Sequence, residues 1–196
     1  MMKYKDCLWL LFFFLICLGG KVQAQDIAVK TNLLYDATAT ANVGLEVGLA
    51  PQWTLDLSGN MNAWSKNDRT KWKHWMVQPE VRYWFCDRFS RHFIGAHLIG
   101  GAFNFGGINN SLSFLGTDFS VLSDSRYQGY AYGGGVAYGF AFVLSKHLNL
   151  ELEAGFGYMF LDYAIYECGT CGRKVKEETH HYVGPTKAAV NLVFVF

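Results

Sequence analysis

From residue 27 to the end, the chain alternates large apolar residues with polar or small ones in eight separate runs. This is the period-two pattern of strands with two unlike faces. The runs span residues 27–37, 42–49, 53–63, 74–85, 92–105, 130–144, 148–162 and 182–196. In the sixth, Tyr130, Tyr132, Val136, Tyr138, Phe140 and Phe142 share one face, opposite Ala131, Gly133, Gly135, Ala137, Gly139 and Ala141. In the fourth, Trp75, Val77, Val81, Tyr83 and Phe85 oppose His74, Gln78, Glu80, Arg82 and Trp84. The last run sets Tyr182, Gly184, Thr186, Ala188, Val190, Leu192, Phe194 and Phe196 against Lys187 and Asn191. The fifth has two competing phases, Phe93, His97 and Ile99 against Ile94, Ala96 and Leu98, which a bulge at Gly100 and Gly101 would reconcile. Pro79 implies a second bulge, because proline removes a ladder hydrogen bond.

A face that carries carboxylates, amides and lysines is too polar for a dry core, and the opposite face is too apolar for water. The pattern predicts an all-β fold: an eight-stranded antiparallel up-and-down transmembrane β-barrel with lipid outside and polar groups inside. The connections after strands two, four and six are short, and those after three, five and seven are long. Short turns and both termini are therefore expected on the periplasmic side of an outer membrane, with the long loops outside. The first outer connection, 38–41, is unusually short, and the longest is 106–128.

Composition narrows the picture. Of 196 residues, 51% are hydrophobic and only 17% charged, which excludes a disordered chain, and 21 glycines suit a wall with small residues turned inward. Lys3 and Lys5 precede an apolar run of about 11 residues, against roughly 20 for a spanning helix. Val22, Gln23 and Ala24 then offer a cleavage site. Residues 1–24 are expected to be a signal peptide and 25–196 a single barrel domain ending at its last strand. Loss of Lys3, Lys5, Lys21 and Asp6 takes the formal charge from +1 to −1, which gives no electrostatic basis for nucleic-acid binding.

The stretches Lys30-Thr31-Asn32-Leu33-Leu34-Tyr35-Asp36, 42–48, Lys73-His74-Trp75, Gln78-Pro79-Glu80 and Arg82-Tyr83-Trp84 carry a family resemblance. The mature chain resembles a domain-of-unknown-function family of small exported barrels. The resemblance implies an outer-membrane barrel broadly similar to OmpA and OmpX, with no catalytic residues to carry over.

The inward charges Lys30, Glu46, Asp56, Glu80, Arg82, Glu151 and Glu153 all lie near the periplasmic ends of their strands. They are expected to form one salt-bridged layer, with Lys187 extending it upward. Eight strands enclose a space about filled by side chains, so this layer is expected to seal the barrel rather than conduct. Cys168 and Cys171, with His180 and His181 nearby, fit a tight disulfide. A zinc site, which needs four ligands, and a redox pair, which favours a helix start, are the alternatives. Cys86 is expected to be a free, partly buried thiol.

Phe114, Leu115 and Phe119 form an apolar centre in the longest loop and are candidates for contact with an extracellular protein or polymer. The loop cations at 66–73 and 173–176 suit lipopolysaccharide phosphates. Phe196 is the candidate insertion signal, read with the closing strand by the barrel assembly machinery. Ser145 with His147 and Ser90 with His92 lack a third group, and no cofactor or metal is expected. The expected role is non-enzymatic, structural or adhesive through the outer loops. The alternatives are a soluble periplasmic lipocalin-like binding barrel, with the tyrosine-rich faces inward, or a lipid-modifying barrel enzyme.

Overall fold

The computed structural model describes residues 27–63, 71–106, 113–114, 117–118, 125–167 and 173–196. The strands are β1 (Ile27–Asn32), β2 (Ala41–Ala50), β3 (Trp53–Asn62), β4 (Lys71–Trp84), β5 (Arg91–Gly106), β8 (Ser125–Val143), β9 (Leu148–Glu167) and β10 (Lys174–Val195). A short helix α1 (Leu33–Ala37) follows β1, and two two-residue strands, β6 (Ser113–Phe114) and β7 (Thr117–Asp118), pair with each other. The eight longer strands form a closed antiparallel barrel in which each pairs with its neighbours in sequence. β1 closes the ring against β10, and the Phe196 N–H donates to the Ile27 carbonyl at 2.9 Å.

The alternation decides which side chains face in. Along β3, Thr54, Asp56, Asn60 and Asn62 are buried while Trp53, Leu57 and Met61 are exposed; along β9, Asn149, Glu151 and Glu153 are buried while Leu152 and Phe156 are exposed. Strand β5 takes a single phase, with Phe93, Gly95, His97, Ile99 and Gly101 inward and Ile94, Ala96 and Leu98 outward. The arrangement that the lipocalin alternative needs is absent: Tyr130, Tyr132 and Tyr138 are exposed, while Glu151 and Glu153 are buried.

Several sequence expectations are corrected. The first strand does not run to Ala37 but stops at Asn32, so the connection to β2 begins at Leu33 and includes α1. Asn32 caps α1, its side chain accepting from the Leu34 N–H, and the Asn42 side-chain amide bonds both the N–H and the carbonyl of Asn32. Side-chain groups thereby replace the next rung of the ladder.

No bulge forms at Pro79 or at Gly100 and Gly101. The β4–β5 register is the same at Val77–Gly100 and Glu80–His97, with the two intervening pairs missing where proline has no N–H to give. Bulges occur instead between Gly48 and Ala50, between Lys174 and Lys176, and between Pro185 and Lys187. The last of these inverts the expected faces above it. Gly184 is buried and the Thr186 hydroxyl meets His97 inside, whereas Ala188, Leu192, Phe194 and Phe196 point out as expected.

Four strands also extend past their predicted ends, β4 beginning at Lys71. β8 begins at Ser125, β9 continues to Glu167 and β10 begins at Lys174, so much of two expected loops is sheet. Finally, Cys86 is exposed rather than partly buried.

Candidate functional site: the charge layer inside the barrel

All eight predicted interior residues are buried together. Arg82, on β4, is fully buried at the centre. Its Nε donates to Glu80 Oε1 at 2.6 Å, Nη1 to Glu46 Oε2 at 2.8 Å and to both Glu151 oxygens at 3.1 Å, and Nη2 to Glu153 Oε2 at 2.7 Å. Lys30, on β1, donates to Glu46 Oε2 at 2.6 Å and lies 3.3 Å from Asp56 Oδ1. Lys187, on β10, donates to Glu80 Oε2 at 2.6 Å and lies 2.9 Å from Glu153 Oε1. Five carboxyl groups thus surround three cations supplied by β1, β4 and β10. The guanidinium fork, with donors in several directions from one plane, is the group suited to the centre.

The layer includes neutral residues whose importance the sequence did not suggest. Thr54 donates to Glu46 Oε1 at 2.5 Å while accepting from Trp84 Nε1 at 2.9 Å, and Asn191 Nδ2 donates to Glu151 Oε1 at 2.8 Å. His97 Nδ1 lies 3.7 Å from Glu80 Oε2, and its Nε2 bonds the Thr186 hydroxyl at the bulge that turns Lys187 inward. The signal for His97 was residue size. Small Gly95 pairs with Arg82, as Phe93 does with Trp84, and the odd phase of β5 leaves over Gly95 the space that the Glu80 carboxylate fills.

Towards the short turns the layer rests on an apolar floor of Ala28, Trp84, Phe89, Phe93, Ala141, Val193 and Val195. Trp84 and Phe93 have ring centroids 4.6 Å apart, and the Arg82 guanidinium carbon sits 4.5 Å from the Phe93 centroid. Phe89 reaches this floor from the β4–β5 turn with φ of 61°, a conformation costing a non-glycine residue about 1–2 kcal/mol. Asn149 Nδ2 holds its carbonyl at 2.7 Å. A Cβ added at Gly139 would lie 2.2 Å from Phe93 Cζ. Gly139→Val is therefore expected to displace Phe93 and cost roughly 1–3 kcal/mol, read as a lower urea midpoint of tryptophan fluorescence.

On the other side of the layer, a polar pocket of about 30 Å³ is lined by Lys30, Asn32, Asn60, Gln78, Lys187 and Asn191, among others. That is room for about one water molecule. Further up, a cavity of about 470 Å³ is lined by residues of six strands, Asn62, His74, Phe103, Tyr163 and Lys174 among them. At the far tip of β10, Lys174 pairs with Glu177 and Lys176 with Glu178. The hydrogen bond to Glu177 raises the Lys174 pKa, and that from Lys176 lowers the Glu178 pKa.

Cys168, Cys171, Leu115 and Phe119 lie outside the described residues. Phe114 belongs to the small β6–β7 pair, and Phe196 lies exposed beside Phe194 at a centroid distance of 4.9 Å.

Fold and interior together define an all-β chain, a closed up-and-down sheet of eight antiparallel strands around a buried ionic layer. The chain belongs to the family described as "Protein of unknown function (DUF3575)", whose model matches residues 10–196. No curated protein and no solved structure matches the chain.

Proposed function

We propose that this protein is a non-enzymatic outer-membrane β-barrel, sealed by its charge layer, with short turns and both termini periplasmic and a tall sheet on the outside for contact with other molecules. The observation that carries the reading is the exposed apolar belt. Leu45, Leu57, Val77, Leu98, Val136 and Phe156 point outward with about 39–66% of their surface exposed, far more apolar surface than a water-facing wall carries.

Aromatic rows flank the belt. Trp53, Tyr83, Phe85, Phe194 and Phe196 lie towards the short turns, and Trp75, Tyr130, Tyr132 and Tyr158 towards the other end, the arrangement of interfacial girdles. Trp75 and Tyr83 are eight residues apart on β4, roughly 20 Å of height for a tilted strand. Among the described residues no helix is long and apolar enough to cross a membrane, so spanning falls to the strands. The signal peptide and the closing-strand signal at Phe196 belong to the same reading, as do the barrel assembly machinery and lipopolysaccharide as partners.

The test is fractionation of the mature chain with heat-modifiable gel migration as the readout of a closed barrel. A soluble, unshifted chain would overturn the reading. Sealing is tested separately in planar bilayers. The folded barrel is expected to give no steady single-channel conductance, because ionic layer and apolar floor both cross the lumen; regular conductance steps would refute the seal.

A further inference from the structure

The barrel wall is uneven in height. β1 reaches only Asn32, opposite Asn191, so among the described residues no strand lies beside β10 from Lys174 to Val190 on that side. The β1–β2 connection forms a sill there, with Leu33 and Leu34 exposed and Tyr35 lining the small polar pocket together with Asn60. On the far side of β10, Tyr158 and Phe160 of the upper aromatic row pair with Val183 and His181. The sill consequently lies on the order of 10–20 Å below that row, at the depth of alkyl chains if the barrel spans a membrane.

A bare sheet edge is not tolerated in hydrocarbon, and three backbone groups of this one find side-chain partners in place of a neighbouring strand. Asn32 Nδ2 donates to the Ala188 carbonyl and its Oδ1 accepts from the Val190 N–H, both at 3.2 Å. Pro185 has no N–H to satisfy, and its carbonyl accepts from the Tyr182 hydroxyl at 3.3 Å.

Above the charge layer the inward residues change character. The strand registers turn Met76, Phe103, Tyr127, Met159, Leu161 and Tyr182 inward, all half-buried, over the polar pocket beside Asn32 and Gln78. With the inward Asn60, Asn62 and His74 they form a mixed wall around the lumen between that pocket and the cavity of about 470 Å³ above it, open at the side where β1 stops.

We propose that the upper half of the barrel is a binding chamber for a single-chain amphiphile, whose alkyl chain enters sideways over the β1–β2 sill. The inference rests on the membrane-spanning reading above, and the bilayer itself presents such chains at the gap.

The methionines supply the test without any substitution. Met76 and Met159 face the chamber, whereas Met61, 58% exposed, lies on the outer wall. The protein, labelled with ¹³C at its methionine methyl groups and reconstituted in lipid nanodiscs, is titrated with stearate spin-labelled near its methyl end. Saturable loss of the Met76 and Met159 signals, restored by unlabelled stearate, is the expected result. Competition by lysophospholipid where unlabelled stearate fails to compete would identify a membrane lipid rather than a free fatty acid as the source. Loss at Met61 alone overturns the chamber and leaves the membrane reading intact. No loss at any of the three overturns both.

Discussion

Arg82→Met is expected to cost about 3–5 kcal/mol, enough to abolish heat-modifiable migration or to lower the urea midpoint sharply. The fully buried guanidinium bonds Glu46, Glu80, Glu151 and Glu153 at once. Without it Lys30 and Lys187 face five carboxyl groups where water cannot enter freely, and a group buried without its counter-charge costs far more than the pair contributed. Lysine is not an adequate substitute, because one ammonium has three donors and no fork to span four carboxylates. Arg82→Lys is expected to recover only part of the loss. Adding Glu151→Gln to Arg82→Met should also recover part, since one stranded charge is removed. A midpoint unchanged by Arg82→Met would mean that the layer is hydrated and does not seal the lumen.

The same layer explains why so much of this barrel could be read from its sequence. A slip of one residue in any strand would send its charges into the wall and its leucines into the lumen, so the face of each strand is written into its alternation. Lys30, Glu46, Asp56, Arg82 and Glu151 were legible for that reason. What alternation cannot express was missed. The end of β1 is set by Asn32 and Asn42 bonding backbone groups with their side chains, a contest between two local hydrogen-bonding schemes. The bulge beside Thr186 inserts one residue and inverts the faces beyond it, so Tyr182 and Gly184 were assigned to the wrong side. The apolar floor escaped notice because Phe89 comes from a turn and Phe93 from the strand of undecided phase. The heights of the strands depend on register accumulated around the ring, which no single strand contains.

Arginine at the centre of the outer belt is expected to be the sharpest test of what surrounds the barrel. Val136 and Leu98 are 66% and 65% exposed; Val136 pairs with Phe156 of β9 and Leu98 with Gly134 of β8, between the aromatic rows. In water, an exposed valine or leucine replaced by arginine changes stability by no more than about 0.5 kcal/mol. In a bilayer the same change at mid-depth costs about 2–4 kcal/mol, falling to about 0–1 kcal/mol near the interfaces. Val136→Arg and Leu98→Arg are therefore expected to lower the urea midpoint of the liposome-reconstituted protein strongly, whereas Tyr130→Arg, at the aromatic row, is expected to lower it little. The gradient matters more than any one value, because a packing defect would not grade with height along a wall. Equal and small effects at all three positions would mean that the outer face meets water, and the proposed membrane location would be lost with it.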